Sequence, residues 1–313
     1  MLNTYSPALN LYPLEALETP VAPSVSVSYP AVPPALKLLR VKLRLQALVS
    51  PEWAFRAAWN LFTTPRRLPL KGWEADALAG TRQHWATAEN GPVAYYEWNP
   101  AGACTVLLVH GWEHRASFWG VLAKALAAAG YRVIALDGPA HGASKGRRAT
   151  LITFAAAVQA VADAVGPVHA AVAHSFGAAA SAGVPVHFNR SPEAVLPRLV
   201  LLSMPSSTRN VARRFAELLH LPYSVVDRMA NFIEAQYGRK AESFDVLEAG
   251  RHLPVQRALL LHDRQDANVP FAEAEEIAAH WPALDFRPTA GLGHNRILRD
   301  AGVVQQVVAF ISS

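Results

Sequence analysis

Cysteine and long apolar runs are what this sequence has least of. Its 313 residues include one cysteine, Cys104, which excludes an internal disulfide. Cys104 precedes a short apolar run, so we expect a small core residue at the start of a central strand rather than a catalytic thiol. Charged residues or prolines interrupt every apolar segment before it reaches the length of a membrane-spanning helix. The first thirty residues show no secretory-signal pattern, which favours a cytoplasmic location.

The patterns of common cofactor and nucleic-acid sites are also lacking. No cluster of His, Cys and Asp has the spacing of metal ligands, and no glycine-rich loop stands beside a lysine as phosphate binding requires. No nucleic-acid-binding motif accompanies the basic residues. We therefore expect no metal, no organic cofactor and no nucleic-acid partner.

Positive charge is in modest excess, with 29 Lys and Arg against 24 Asp and Glu. Much of the excess lies in residues 37–71, where Glu52 is the single acidic residue. A basic amphipathic segment can bind an anionic membrane surface. The charge alone favours the simpler interpretation, a solvated helix face beside the main domain.

The chain divides into three parts. Residues 1–35 are rich in proline and predict an extended arm. Residues 36–80 form a helical extension, with helices over about 35–48 and 51–62, and the sequence assigns it no role. Residues 81–313 form the main domain, and a hydrophobic content of 51% with 17% charged residues suits a large buried core.

Strands and helices alternate through the main domain. Asn90-Gly91 predicts a hairpin between strands at about 83–88 and 93–98. Short, continuously apolar runs then predict strands that are buried on both faces, at 105–109, 133–137, 169–173, 199–203 and 258–262. Helical stretches separate them, so the fold class is α/β: a mostly parallel twisted sheet with helices on both faces.

The alternation is interrupted between residues 205 and 250. Two amphipathic helices occupy this segment instead of one crossover helix. Insertions at this position lie over the carboxyl ends of the strands, where ligands bind in such sheets. We expect a small helical lid; the alternative is extra packing elsewhere on the domain.

Ser175 is the candidate nucleophile. It stands in Ala173-His174-Ser175-Phe176-Gly177, between a buried strand and a helix. A serine at the tip of such a turn needs small residues two positions before and two after it, because the backbones approach closely. The alternative role, an ordinary helix N-cap, uses the same residue type.

A serine hydroxyl needs a base, and the base needs a carboxylate to orient it. His294 follows Gly291 and Gly293 in a loop near the chain end, where it can reach back across the sheet edge. His174 adjoins the serine and should point away from it, and His110 and His262 are assigned structural roles. Asp266 is the candidate acid, because it lies further into its loop than Asp263. Asp263 should instead pair locally, with Arg264 or backbone amides.

Two backbone amides are candidates for the oxyanion hole. The N–H of Phe176 directly follows the nucleophile. The N–H of Trp112 lies in His110-Gly111-Trp112, which follows the strand at 105–109. As a side chain, Trp112 could equally be a packing aromatic.

Together these motifs, with Asp137-Gly-Pro-Ala-His-Gly-Ala-Ser144, resemble the α/β-hydrolase superfamily over about residues 82–312. More narrowly, they are similar to bacterial hydrolases of the esterase or lysophospholipase type. Ala173 departs from the glycine usual at that position. A serine nucleophile argues against the dehalogenases and epoxide hydrolases of the superfamily, which carry an aspartate there.

The resemblance implies a serine hydrolase that cleaves a carboxylic ester through an acyl-enzyme. We expect a small-molecule ester with an apolar acyl group, because Trp112, Phe176 and Met204 suggest an apolar pocket. Acyl transfer or thioester cleavage would use the same residues. A protein that only binds a ligand in this fold is the alternative outside enzymes. Oligomeric state is left open.

Overall fold

The computed structural model describes residues 33–184, 186–189, 194–238 and 240–313. The arm expected at residues 1–35 lies almost entirely outside these ranges. No helix within them is both long and apolar enough to cross a bilayer.

One eight-stranded sheet organises the molecule, in the order β1-β2-β4-β3-β5-β6-β7-β8. The strands β1 and β2 form an antiparallel hairpin, β2 is antiparallel to β4, and the other neighbours are parallel. In chain order the strands are Arg82–Ala88, Gly91–Trp98, Thr105–Val109, Arg132–Leu136, Val168–His174, Leu196–Leu202, Val255–Asp263 and Leu284–Thr289. The seven strands predicted above are all present, with β8 beside β7 as the eighth, and the predicted mostly parallel sheet with helices on both faces is confirmed.

The start of β3 corrects one expectation. Thr105–Val109 is buried at every position, but Cys104 lies before the strand and is exposed. The core begins at Thr105, so the prediction that Cys104 is a core residue is wrong. Its exposure follows from its place in the loop before the strand.

Twelve α-helices are described; some cover the two faces of the sheet, and others surround the cavity at the carboxyl ends of its strands. They are α1 Pro34–Val49, α2 Pro51–Thr63, α3 Gly72–Leu78, α4 Gly120–Ala128, α5 Leu151–Val165, α6 Phe176–Gly183, α7 Thr208–Leu219, α8 Tyr223–Tyr237, α9 Val246–Ala249, α10 Phe271–His280, α11 Gly293–Arg296 and α12 Ala301–Ser312. Short 3₁₀ turns cover Ala116–Trp119, Ala241–Phe244 and Gly250–His252.

Two apolar cores result, one on each face. On one face α5, α6 and α10 bury residues such as Phe154 against the sheet. On the other face α4 and α12 bury residues such as Leu122 and Phe310. Because both faces of the parallel strands are covered, their central stretches are continuously apolar, as at 106–109 and 199–202, rather than alternating.

The predicted pair of helices in the insertion is confirmed as α7 and α8. They do not stand alone: α1 and α2 pack against them around a third apolar core that includes Leu43, Phe55, Leu219 and Met229. We call α1, α2, α7 and α8 the four-helix layer. Its core is built from two segments that lie about 150 residues apart in the chain, one before β1 and the other between β6 and β7.

The segment that follows α2 ties the layer to loops at the carboxyl ends of the strands. The main-chain oxygen of Thr63 accepts a hydrogen bond from Ala149 N at 2.8 Å. Arg67 donates to the main-chain oxygens of Ala140 and Ser144 at 3.0 and 2.6 Å, and Arg66 pairs with Glu113 at 2.5 Å. The loops after β3 and β4 are therefore held by residues from before the sheet.

Candidate active site

Ser175 occupies a strained turn between β5 and α6. Its φ of 51° and ψ of −118° lie outside the regions that non-glycine residues ordinarily adopt. The chain is held there because Ser175 N donates to the Leu202 oxygen and the Ser175 oxygen accepts from Ala179 N, at 2.9 and 3.0 Å. A Cβ atom at Gly177 would lie 2.2 Å from the His110 oxygen, which explains the small residue two positions after the serine.

The three side chains singled out in the sequence form one chain of hydrogen bonds. Ser175 Oγ lies 3.0 Å from Nε2 of His294, and Nδ1 of His294 lies 2.8 Å from Oδ2 of Asp266. The three residues come from the ends of β5, the loop after β7 and the start of α11. In this arrangement the serine hydroxyl can donate to Nε2 while Nδ1–H donates to the carboxylate.

Asp266 is a buried carboxylate with its acceptor positions occupied. Its Oδ1 accepts hydrogen bonds from Asn268 N and Val269 N, both at 2.9 Å. Burial acts to raise the pKa of Asp266, but the hydrogen bond and charge of His294 outweigh it, so the pKa lies below its ordinary value. The group therefore stays ionised at neutral pH, as a partner that stabilises an imidazolium must.

Asp263 accepts hydrogen bonds from backbone amides and from the Thr289 hydroxyl, whereas the guanidinium of Arg264 lies over the ring of Phe271. Its Oδ2 accepts from Thr289 Oγ1 and Leu292 N, at 2.8 and 3.0 Å. These bonds fix the loop that leads to His294. Burial acts to raise the pKa of Asp263, but bonds from the amides of Gly293 and Leu292 are among those that lower it overall.

His174 supports the loop from the other side. Its Nε2–H donates to the main-chain oxygen of His294 at 2.9 Å, and the two rings lie 4.7 Å apart. His114 stacks on His174 with ring centroids 5.3 Å apart. Burial lowers the pKa of both His114 and His174 far below the usual range, so both are neutral. Neither of these contacts was predicted from the sequence.

Of the two candidate oxyanion amides, that of Phe176 directly follows Ser175, and that of Trp112 belongs to a loop close to it, since a Cβ atom at Gly111 would lie 3.1 Å from Ser175 Cβ. Within the described part of the chain, neither the N–H of Trp112 nor that of Phe176 donates a hydrogen bond to another group. The rings of these two residues meet edge to face at 5.1 Å. Trp112 therefore combines a packing side chain with an unused amide, as the sequence allowed.

Buried polar groups position the loop that carries Trp112. Asp137 accepts from Ala116 N at 2.7 Å and from Ala143 N at 2.8 Å. His141 Nε2 accepts from Glu113 N at 3.0 Å, and His110 Nε2 accepts from Gly138 N at 2.8 Å. The loops after β3 and β4 are thus joined by hydrogen bonds, and the imidazoles of His110 and His141 accept them in their neutral form.

A cavity of about 840 Å³ joins Ser175 and His294 to the four-helix layer. All four helices line it, and most of their contributions are apolar: Leu36, Leu39, Trp59, Phe62, Phe215, Leu218, Val226, Met229 and Ile233. Several charged side chains also reach it, among them Arg66, Glu113 and Arg214. Its size is within the range of sites for small organic ligands.

A metal site is not built into the part of the chain that the structure describes. No group of three or more His, Cys, Asp or Glu side chains there could hold a metal ion. Apart from His294, the histidines near Ser175 bond to backbone groups or pack against one another's rings.

Comparisons with known proteins agree with this architecture. A family model described as "alpha/beta hydrolase fold" matches residues 105–221. An esterase from Pyrococcus furiosus, Pf2001, is 19% identical, with a TM-score of 0.59 over 80% of this chain and 98% of that one. An esterase from Exiguobacterium antarcticum is 15% identical, with a TM-score of 0.55 over 74% of this chain and 100% of that one.

A thioesterase domain from the curacin biosynthetic pathway is similar as well, at 18% identity and a TM-score of 0.53, covering 75% of this chain and 100% of that one. No curated protein sequence matches the chain. The chain has the α/β-hydrolase fold, and the resemblance to that superfamily is confirmed.

Proposed function

We propose that this protein is a serine hydrolase that cleaves a carboxylic ester through an acyl-enzyme intermediate. The observation that carries the proposal is the unbroken set of hydrogen bonds from Ser175 Oγ through His294 to Asp266, at 3.0 and 2.8 Å, on the wall of a largely apolar cavity. A buried N-cap serine would not need an imidazole on its hydroxyl and a carboxylate behind that imidazole.

The proposed steps follow from these positions. Ser175 Oγ attacks the ester carbonyl carbon while His294 Nε2 takes its proton, and the carbonyl oxygen becomes an oxyanion held by the amides of Trp112 and Phe176. His294 then gives the proton to the leaving alcohol as the carbon–oxygen bond breaks. Water repeats the sequence on the acyl-enzyme and releases the acid. Asp266 remains ionised and stabilises the imidazolium.

The cavity supports an ester with an apolar acyl group. Side chains such as Leu39, Phe62, Phe215 and Ile233 would lose water contact when an acyl chain fills it, which favours binding. Thioester cleavage would use the same groups, and the thioesterase domain with a similar fold makes this the second candidate.

Turnover of a short p-nitrophenyl ester by the wild type and by Ser175→Ala tests the proposal. The wild type should turn over and become labelled by a fluorophosphonate, and Ser175→Ala should do neither. Equal, negligible rates for both proteins across a range of acyl chain lengths would favour a ligand-binding protein. With matched oxygen and sulfur esters, a preference for the sulfur ester would favour the second candidate, and an acylated added alcohol would indicate acyl transfer.

A further inference from the structure

The outer face of α1 carries a continuous apolar stripe. Leu38, Val41, Leu45 and Leu48 follow one another at spacings of three and four residues, which places them on one side of the helix. With Val49, all are between 55% and 78% exposed. Single exposed apolar residues are ordinary, but a contiguous set of this size indicates a binding surface.

The opposite side of α1 packs against the rest of the molecule. Leu43 is buried in the core of the four-helix layer, and Leu36 and Leu39 line the cavity. Arg40, on the same side, donates to the main-chain oxygen of Leu218 at 2.8 Å. The exposed stripe is therefore not the helix's packing face, and rotating α1 to bury it would break these contacts.

Basic residues border the stripe on both sides. At 100° per residue, Lys37 and Arg44 lie along one margin and Lys42 along the other, and all three are exposed. They make no ion pair with any described residue, and α1 contains no acidic residue. Trp53, 60% exposed, follows just after the end of the helix. Aromatic residues of this kind favour the boundary between lipid and water.

We propose that this outer face of α1 binds the surface of an anionic lipid bilayer. The apolar stripe would enter the boundary between headgroups and acyl chains, while Lys37, Lys42 and Arg44 lie beside lipid phosphates. Sixteen residues make a helix of about 24 Å, long enough to lie along the surface.

The charges favour a bilayer over other occupants. In a symmetric dimer formed through α1, two basic helices without an acidic residue would meet, and like charges would lie close together. A nucleic acid would satisfy the charges but leave the apolar stripe in water. An anionic bilayer satisfies both.

The position of α1 links this surface to the cavity. Since Leu36 and Leu39 line the cavity from the inner side of the same helix, one helix thickness, about 10 Å, separates the cavity from the proposed lipid surface. On the basis of the proposed function, the substrate class would then be esters that partition into membranes. Lipid binding itself does not depend on that function.

The test is flotation of the full chain with vesicles of phosphatidylcholine alone and of phosphatidylcholine mixed with phosphatidylglycerol. We expect binding to the mixed vesicles, weakened by salt, and little binding to the neutral ones. Val41→Glu should weaken binding on the order of tenfold or more, because it places a charge within the stripe. Val121→Glu is the matched control, since Val121 is 49% exposed on α4, a helix of the main domain, and should bind as the wild type does.

Several results would overturn the proposal. One is the absence of binding to mixed vesicles at low salt; another is an equal loss in Val41→Glu and Val121→Glu. A wild-type dimer that Val41→Glu converts to a monomer, with no vesicle binding, would assign the face to a second copy. Binding that appears only after residues 1–32 are removed would assign it to the chain's own amino-terminal segment.

Activity measurements separate the two proposals. Ser175→Ala should float with mixed vesicles as the wild type does, while losing turnover. Val41→Glu should keep turnover of a short soluble ester and lose turnover of a long-chain ester embedded in mixed vesicles. If the wild type floats but hydrolyses neither ester, the hydrolase proposal fails and the lipid surface stands.

Discussion

At the scale of single residues, the site depends on two aspartates, three positions apart, that have different roles. Asp266 faces the Nδ1 atom of His294, whereas Asp263 holds the backbone of the loop that carries it. Their order in the sequence suggested this division, because Asp266 lies further from the strand end. The bonds from Thr289 and Leu292 to Asp263 could not be foreseen, since they depend on β8 lying beside β7.

We predict that Asp266→Asn lowers kcat on the order of a thousandfold or more, because an amide can impose the wrong tautomer on His294 and cannot stabilise its charged form. Asp263→Asn should lower kcat about tenfold or less, because one acceptor oxygen remains for the loop. Steady-state kinetics on one ester, with circular dichroism to confirm folding, would compare them. A harmless Asp266→Asn beside a damaging Asp263→Asn would show that the acid is misassigned.

At the scale of secondary-structure elements, the strands were the most predictable part. Runs such as Thr105–Val109 can be buried on both faces only inside a covered parallel sheet, so composition was sufficient to find them. The place of α1 was not predictable. Its sequence is apolar around most of its circumference, with Leu or Val at 36, 38, 39, 41, 43, 45, 48 and 49, so no single face stands out as the one to bury.

The structure identifies the buried face of α1. Substitutions of one buried and one exposed leucine on that helix test this assignment. We predict that Leu43→Ala costs about 2–4 kcal/mol of unfolding free energy, because Leu43 is 1% exposed and its loss leaves a cavity in the core of the four-helix layer. Leu48→Ala, at 78% exposure, should change it by about 0.5 kcal/mol or less. Urea unfolding measures both. Similar effects at the two positions would contradict the placement of α1.

At the scale of the whole molecule, the interior around the candidate site contains several neutral histidines. His110, His141 and His174 are buried, and burial is the main reason that their pKa values lie below the ordinary 6.5, to about 4 for His141. Each is tied to the backbone by at least one ring nitrogen. We therefore expect the folded state to lose stability in acid.

We predict that stability falls as pH drops below about 6.5. In the unfolded chain these imidazoles take up protons near that pH, while in the folded protein they stay neutral until lower pH, so acid favours unfolding by about 1.4 kcal/mol per pH unit for each fully titrating histidine. Between pH 6.5 and 5.5 the three together should cost on the order of 3 kcal/mol. Asp137 opposes this, because burial raises the pKa of its carboxyl, but it is one group against these three histidines and His114, whose pKa burial also lowers.

Denaturant unfolding at constant ionic strength would measure this dependence. Between pH 7.5 and 8.5 these histidines do not change charge in either state, and that interval serves as the internal control. Equal stability at pH 7.5 and 5.5 would show that the histidines are not buried as described.

The sequence by itself determined the parts of this protein that depend on neighbours along the chain. Apolar strands, capped helices and the small-x-Ser-x-Gly turn at Ser175 each follow from local rules of burial and backbone geometry. Only the tertiary structure decided which groups meet: His174 with the backbone of His294, α1 and α2 with α7 and α8, and one leucine-rich face of α1 with solvent. These contacts join residues as many as about 190 positions apart, and a local pattern carries no information about a partner so distant.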